Sequence, residues 1–309
     1  YDGRSFKKIL PEGARYLTAD KKGGIWFSDE YSAGYFDPYA DSVRNYQLAN
    51  AERFGDISID NSGGVWIATT DGVTKFDSIS NSFIKDKGQR PGIIYQLSAR
   101  GNGVLLFSFI DNKNKQELIG RRDPNGLYTY EPYPIDMNNP ENEKLFTSVV
   151  GAFLRPLDST GILIINQSGW IYKKEKDSPW IFKQPANHEL ISETSDVKLD
   201  ANGNFWLNQY NALSKINIAT GETTIYTHDR ENPNSLLSMQ TVGAGSNMFF
   251  DRQGVLWITR YSQGISRLNL FESDFGLLKD STGSPVLDVL SALESKNGTF
   301  WIGSRNDTN

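Results

Sequence analysis

Apolar and polar residues alternate with a period of two over short stretches along most of this chain. Ile57 and Ile59 precede a turn of the form Asp-x-x-Gly, and a second apolar stretch follows the turn. A period of two is typical of β-strands with one buried face, and Asp with Gly is suited to a tight turn. The pattern therefore predicts β-hairpins throughout the chain and almost no helix.

One phrase returns along the sequence: an Asp, a Gly three residues later, and a Trp between apolar residues six positions after the Asp. Its clear copies begin at Asp20, Asp60, Asp200, Asp251 and, with Ser in place of Asp, Ser295. Two weaker copies, Gly101–Leu106 and Asp158–Ile164, have an aliphatic residue at the Trp position. The Trp-equivalent positions are thus 26, 66, 105, 164, 206, 257 and 301.

Each unit continues with a strand of the form Gly-aliphatic-x-Lys/Arg-apolar, as in Gly72–Asp77, and then with a fourth strand, as in Thr223–Tyr226. Four strands per unit in seven successive units predict an all-β fold, a seven-bladed β-propeller of four-stranded blades in a single domain over residues 1–309. The last unit is too short for four strands. The N-terminal strand Ser5–Ile9 is therefore expected to join the C-terminal blade, shared between residues 1–10 and 286–309, and to close the ring.

Composition removes several classes of function. The net charge is -5, with 32 Lys and Arg against 37 Asp and Glu, and without a basic run neither nucleic acid nor a membrane surface is an expected partner. There is no Cys, and the two histidines, His188 and His228, lack the spacing of a metal site or a Ser-His-Asp triad. We expect no metal, no cofactor and no catalytic residue, although a carboxylate pair for glycoside hydrolysis stays an alternative.

The repeated Trp residues are interpreted as core between blades, because they recur at one position of one strand. The repeated Asp residues are interpreted as turn formers. A calcium loop needs several oxygen ligands within one short segment, whereas the phrase supplies a single carboxylate.

Two motifs resemble the two-component regulator propeller repeats, which form the sensor regions of hybrid histidine kinases in Bacteroidetes-type bacteria. One is Asp-x-x-Gly-x-aliphatic-Trp-Ile followed by Gly-aliphatic-x-Arg-aliphatic-Asn, and the other is the segment Tyr226–Leu236, which ends in Asn-Pro-Asn-Ser-Leu. The resemblance covers essentially the whole chain. It implies a periplasmic sensor, part of an inner-membrane protein, that binds products of polysaccharide breakdown and signals to a kinase. Adjacent sensor domains of the same chain, and a second copy in a homodimer, are the partners it implies.

The predicted strand order places the loop after each Trp strand and the connection to the next blade on one face, where loops favour function. The loops of that face are Ser28–Tyr31, Thr69–Asp71, Asn166–Ser168, Asn208–Asn211, Arg260–Gln263 and Ser304–Asn306. Aromatic rings stack on sugars, amides bond hydroxyl groups, and Arg binds carboxylate or sulfate. We therefore predict an oligosaccharide or other small-molecule site at Tyr210, Arg260, Tyr261 and Arg305.

Residues 111–146 lengthen the third unit. This insertion is expected either to cap the binding face or contact a neighbouring domain, or to carry a disordered tip at residues 112–115. Three functions stay open at the level of sequence: a ligand-sensing module, a propeller that serves only as an interaction or spacing domain, and a carbohydrate-active enzyme.

Overall fold

The fold was analysed in a computed structural model. It describes residues 8–10, 14–29, 31–46, 54–133, 153–156, 161–166, 169–173, 178–183, 194–209, 212–232, 235–237, 247–251, 253–260, 264–270, 275–277, 289–296 and 298–304. Apart from one 3-10 turn at Gly101–Gly103, the regular structure in these ranges is β-strand, so the predicted all-β class is confirmed. No helix in the same ranges is long and apolar enough to cross a membrane.

The chain clusters into two compact units: a first unit of residues 18–166 and 170–182, and a second unit of residues 1–17, 167–169 and 183–309. The first unit holds blades 2 and 3 entirely and most of blades 1 and 4. Each blade is an antiparallel meander of four strands. The strands of blades 1 and 2 are β1 (Tyr16–Ala19), β2 (Ile25–Ser28), β3 (Ala33–Asp37), β4 (Ser42–Tyr46), β5 (Phe54–Ile59), β6 (Val65–Thr69), β7 (Gly72–Asp77) and β8 (Ser82–Lys85). Those of blades 3 and 4 are β9 (Gly92–Ala99), β10 (Leu105–Asp111), β11 (Glu117–Arg122), β12 (Tyr128–Pro132), β13 (Phe153–Pro156), β14 (Ile162–Asn166), β15 (Gly169–Lys173) and β16 (Ile181–Lys183).

The second unit holds blades 5 and 6 and a last, smaller sheet. The strands of blades 5 and 6 are β17 (Thr194–Leu199), β18 (Asn204–Gln209), β19 (Ala212–Asn217), β20 (Thr223–Thr227), β21 (Met248–Phe250), β22 (Leu256–Arg260), β23 (Gly264–Leu268) and β24 (Phe275–Leu277). The smaller sheet pairs β25 (Val289–Glu294) with β26 (Phe300–Ser304).

The prediction of seven four-stranded blades is wrong. The described residues form six four-stranded blades, and within them the seventh sheet has two strands, which form a single hairpin. The closing strand predicted at Ser5–Ile9 is not seen there: residues 5–7 lie outside the described ranges, and Lys8–Leu10 forms no strand. The N-terminal segment does reach this sheet at one point, where Ser291 Oγ donates to Ala14 O at 3.1 Å. The assignment of residues 1–309 to a single domain stays a prediction.

In the repeated turn, one carboxylate holds both the backbone and the Trp that follows. Asp60 Oδ1 accepts the backbone N–H groups of Ser62 and Gly64, both at 2.9 Å, and Asp60 Oδ2 accepts the indole N–H of Trp66 at 2.9 Å. Gly63 has φ +91°, which only Gly adopts without strain. The six-residue spacing between Asp and Trp therefore has a physical cause, since it lets one side chain join the turn to the core.

The same indole bond recurs in the second unit, at 3.0 Å from Trp206 to Asp200 and 2.8 Å from Trp257 to Asp251. In blade 1 the carboxylate of the repeated turn, Asp20, bonds to Tyr35. Burial of Tyr35 together with the negative charge of Asp20 raises the pKa of Tyr35 to about 12. The predicted turn role of the Asp residues is confirmed, and their bond to Trp adds a role in the core.

Four of the five repeated Trp side chains, those of Trp26, Trp66, Trp206 and Trp257, are buried core as predicted, whereas Trp301 in the two-stranded sheet is only partly buried. Trp66 is fully buried and packs with Leu97, Leu105 and Phe107, so its ring fills the space between blades 2 and 3. Lys75 lies opposite Trp66 in the strand register and places Nζ 4.8 Å from the ring centroid. The Lys of the phrase Gly-aliphatic-x-Lys/Arg is thus a cation over the indole face.

Blades 3 and 4, which lack the Trp of the repeated phrase, differ from the predicted alignment by one residue. In blade 2, Trp66 pairs with Ser58, which lies two residues before the turn residue Asp60. The corresponding pair in blade 3 is Leu106 with Ser98. Ile164 also lies on the other face from the one predicted, because it clusters with Leu106 of the preceding blade. Leu106 and Leu163, rather than Leu105 and Ile164, therefore occupy the Trp positions, since a shift of one residue reverses the face of a strand.

The segment that ends in Asn-Pro-Asn-Ser-Leu lies in the connection between blades 5 and 6. Leu236 is fully buried in the cluster that contains Trp206. Ser235 Oγ accepts from Asp229 N at 2.9 Å and donates to Asp229 O at 2.8 Å. His228 Nδ1 lies 2.8 Å from Leu236 O and bonds to it. The motif that carries the family resemblance is therefore, in its described residues, a folded connection with an apolar anchor.

Stability is expected to fall in acid because of the turn carboxylates. Burial alone would raise the pKa of Asp60, but hydrogen bonds from Ser62, Trp66 and Gly64 outweigh it and lower this pKa; the same balance lowers the pKa of Asp200. A folded-state pKa below the unfolded value of about 3.9 gives stability that is complete above that pH and lost as pH falls through the folded-state pKa.

Urea unfolding followed from about pH 6 down to about pH 2.5 tests this expectation. The free energy of unfolding should decline most steeply below about pH 4, and Asp60→Asn should decline less steeply because it cannot titrate. Equal slopes for the two proteins would contradict the assignment to Asp60.

Candidate functional site

Of the four residues predicted to contact a ligand, the structure describes Arg260. Tyr210, Tyr261 and Arg305 lie outside the described ranges. Arg260 is the last residue of β22, and its side chain is 0% exposed. The antiparallel meander sends the predicted loops of blades 5 and 6, residues 210–211 and 261–263, out from the ends of β18 and β22.

The Arg260 guanidinium bonds to backbone on both sides of the blade 5 loop. Nη1 donates to Gln209 O at 2.6 Å and Nη2 donates to Ala212 O at 3.2 Å. Burial lowers the pKa of Arg260 to about 10, so the group keeps its positive charge at neutral pH. One charged donor group therefore links the last residue of β18, Gln209, to the first residue of β19, Ala212.

A buried polar layer surrounds these bonds, and we call it the polar base. Its members are nine-tenths or more buried, and they are Asn208, Gln209, Ser214, Thr259 and Arg260. Asn208 Nδ2 donates to Thr259 O at 3.4 Å across the two blades, and Ser214 Oγ donates to Gln209 Oε1 at 2.6 Å within blade 5. Side chains from both blades therefore join the ends of β18 and β22.

Asp196, which pairs with Asn208 in the strand register, ties the first strands of blades 5 and 6 together. Its Oδ2 accepts Met248 N at 2.7 Å and lies 3.3 Å from Lys198 Nζ. The first unit repeats this arrangement independently. Asp56 Oδ2 accepts Leu97 N at 3.1 Å, and Gln96 Oε1 accepts Leu154 N at 2.8 Å. Side-chain acceptors at this position, Asp196 buried and Asp56 and Gln96 partly buried, join one blade to the next and have a structural role.

The corresponding loops of the first unit are held by local bonds. In blade 2, Thr69 Oγ1 donates to Gly72 O at 3.1 Å and accepts Asp71 N at 3.2 Å, so the loop closes on itself. In blade 1, Asp29 Oδ1 accepts the N–H groups of Tyr31 and Ser32. Tyr31 is 70% exposed, which makes it an exposed aromatic on a predicted binding loop. Its position could have been found by the rule that selected Tyr210 and Tyr261.

The insertion in blade 3 is folded where the structure describes it. Asp111 Oδ1 accepts Lys113 N at 2.7 Å, and Lys115 N donates to Asp111 O at 2.9 Å, so residues 112–115 form an ordered turn rather than a disordered tip. Further along, Arg122 Nε and Tyr128 Oη both donate to Asp86 Oδ2, at 2.6 and 2.7 Å. These two side chains connect blades 2 and 3 and do not cap a face.

Neither a protein-family model nor a curated protein matches this chain in sequence. Among solved structures, a streptogramin B lyase aligns with a TM-score of 0.68 at 14% identity, covering 97% of this chain and 94% of that chain. The extracellular domain of a protein assigned as a hybrid two-component system of B. thetaiotaomicron aligns with a TM-score of 0.66 at 16% identity, over 95% of this chain. A catalytically inactive His-to-Ala variant of virginiamycin B lyase from Staphylococcus aureus, solved with quinupristin, has a TM-score of 0.61 at 12% identity, over 98% and 88% of the two chains.

The shared fold is a β-propeller. This chain spans 39% of the length of the two-component protein's extracellular domain, whereas it matches the lyases over most of their length. One propeller fold thus accommodates both a sensor region and an enzyme, and function has to be argued from the site.

Chemistry-bearing groups are sparse in the described part of this propeller. There, no group of three or more His, Asp or Glu side chains is placed to hold a metal ion. His228 bonds to the Leu236 carbonyl within its own loop, and His188 lies outside the described ranges. The groups of the polar base are buried and make their hydrogen bonds within the protein.

Proposed function

We propose that this chain is the ligand-sensing propeller module of a hybrid two-component sensor histidine kinase that responds to products of polysaccharide breakdown. The observation that carries the proposal is the polar base, because it joins the ends of two neighbouring strands from which the aromatic loops 210–211 and 261–263 emerge. A rigid base beneath aromatic side chains lowers the entropy that a ligand must remove on binding.

In this proposal, Tyr210 and Tyr261 stack on sugar rings and Arg305 pairs with a carboxylate or sulfate group. Arg260 belongs to the same site and lies beneath it. The fold likeness to an extracellular domain of a two-component protein supports a periplasmic location. Adjacent sensor domains of the same chain are the proposed partners, with a homodimer as the proposed signalling form. No nucleic acid and no membrane contact by this part of the protein are proposed.

An enzymatic function is the alternative favoured by the likeness to the lyases. Replacement of a histidine inactivates the S. aureus enzyme, which indicates that its reaction depends on that group. In this chain His228 is engaged with Leu236 O at 2.8 Å, where it serves the folded connection between blades. We therefore propose recognition without turnover, and place a purely spacing or protein-interaction role second and a carbohydrate-active enzyme third.

Calorimetric titration tests the proposed function. Acidic and neutral oligosaccharides should be titrated into the propeller and into the natural chain with its flanking domains, while product formation is followed by chromatography. We expect saturable binding without turnover, and a loss of affinity of about tenfold or more in Tyr261→Ala and in Arg305→Ala.

Tyr39→Ala is a matched control, since Tyr39 is an exposed aromatic in a turn at the opposite end of its blade. It should bind like the unsubstituted protein. Turnover of any glycan would overturn the non-enzymatic proposal. Unchanged binding in Tyr261→Ala and Arg305→Ala would overturn the site.

A further inference from the structure

The blade 5 loop is held in a different way from the blade 2 loop at the same place. In blade 2 the donor to the carbonyl after the loop is Thr69 Oγ1, the residue just before the loop itself. In blade 5 that position is Gln209, whose Oε1 is occupied by Ser214 Oγ. The donor to Ala212 O in blade 5 comes from blade 6, as Arg260 Nη2.

We infer that Arg260 is a positioning residue, which holds the Tyr210 loop of blade 5 in place from blade 6. Its two donors reach the carbonyl before the loop and the carbonyl after it, so both ends of residues 210–211 are fixed by one planar group. A guanidinium is suited to this task because its N–H groups are held in a rigid planar fork, whereas the three N–H groups of Lys share a single nitrogen on a flexible stem.

Three features strengthen this connection between blades 5 and 6. The side chain is fully buried, so water competes little for its N–H donors. The bond to Gln209 O is short, at 2.6 Å, as is usual for a charged donor. Asn208 Nδ2 also donates to Thr259 O, so the residues that precede each loop are joined across the two blades.

This inference rests on the proposed function for its purpose, because the loop it positions carries a proposed ligand contact. A loop whose ends are fixed before the ligand arrives loses less entropy on binding.

The test needs no ligand. The chain contains no Cys, so Asn211→Cys and Asp71→Cys each provide a single attachment point for a nitroxide label, in the blade 5 loop and at the equivalent position of blade 2. Electron paramagnetic resonance of the label reports local mobility, and urea unfolding of the same proteins reports global stability.

In Arg260→Gln, the label at position 211 should become mobile, and amide exchange of residues 209–213 should accelerate by about tenfold or more. The label at position 71 should not change. In Thr69→Val, the reverse is expected: the label at 71 becomes mobile and the label at 211 does not. Arg260→Lys keeps the charge and should restore part of the immobilisation at 211.

An unchanged label at 211 in Arg260→Gln, or equal changes at 211 and 71, would overturn the inference. If neither Arg260 variant folds, the unsubstituted protein still decides, because a mobile label at 211 in that protein contradicts a fixed loop. Absence of oligosaccharide binding leaves these outcomes intact, so failure of the proposed function is distinguishable from failure of the positioning role.

Discussion

Replacement of Trp66 by Ala is expected to lower the free energy of unfolding by about 3 to 5 kcal/mol, the usual cost of deleting a large buried aromatic side chain. Trp66 is 0% exposed and fills the space between blades 2 and 3. Its removal leaves a cavity against Leu97 and Phe107 and deprives Asp60 of the indole N–H. It also removes the ring beneath Lys75 and Arg122, whose charged groups lie 4.8 Å from its centroid. Urea unfolding followed by circular dichroism measures the loss.

Trp66→Phe is the matched control for this prediction. It keeps an aromatic ring in the core but loses the bond to Asp60, so its loss of stability should be clearly smaller than that of Trp66→Ala. A change of only a few tenths of a kcal/mol in Trp66→Ala, the size typical of a surface substitution, would show that the ring is not part of the core.

Asp60→Ala is expected to lower the free energy of unfolding by about 2 to 3 kcal/mol, because bonds to a charged group are lost and buried donors are left unsatisfied. Asp60 accepts Ser62 N, Ser62 Oγ, Gly64 N and the indole N–H of Trp66. The indole is fully enclosed and has no access to water. Urea unfolding at neutral pH, where the carboxylate is ionised, measures the effect.

Asp77→Ala is the control that distinguishes the contribution of the turn bonds from that of the bond to the core Trp. Asp77 also accepts backbone N–H groups, from Ile79 at 3.3 Å and Ser80 at 3.0 Å, but its turn is exposed to solvent. Its replacement should lower the free energy of unfolding by clearly less than Asp60→Ala does, since water can take over the freed donors. If Asp60→Ala costs no more than Asp77→Ala, the bond between turn and Trp contributes nothing.

The four-stranded meander could be predicted from sequence because its information is local. Each Asp-x-x-Gly turn and each alternating strand is encoded within a few residues, and repetition along the chain fixed the unit. The indole bond of Asp60, Asp200 and Asp251 was missed, although its signal was visible in the constant spacing of six residues. A turn alone does not require that spacing to be constant, whereas a bond to a core side chain does.

Two parts of the fold could not be predicted, for different reasons. In blades 3 and 4 the strands read Leu105-Leu106-Phe107 and Ile162–Ile165, apolar at every position. Such runs do not distinguish one face from the other, and a slip of one residue went unnoticed. The number of complete blades was wrong because a count of turn phrases does not show whether the last hairpin acquires two more strands.

The site was predictable in its loops but not in its base. Arg260 was selected as a ligand contact because it stands beside Tyr261 in a polar segment. Sequence does not reveal that its side chain turns back beneath the loop of the previous blade, since the two carbonyl oxygens it binds lie 51 and 48 residues away. Its place as a direct ligand contact stays a prediction.

The acceptors that join successive inner strands also have a consequence for synthesis on the ribosome. Asp56 bonds to an N–H that lies 41 residues later, and Gln96 to one that lies 58 residues later. At about 5 to 20 residues per second, each side chain waits about 2 to 12 s for its partner to be made. A newly synthesised blade of this unit is therefore incomplete until the next one leaves the ribosome, and folding along the nascent chain lags translation by one blade.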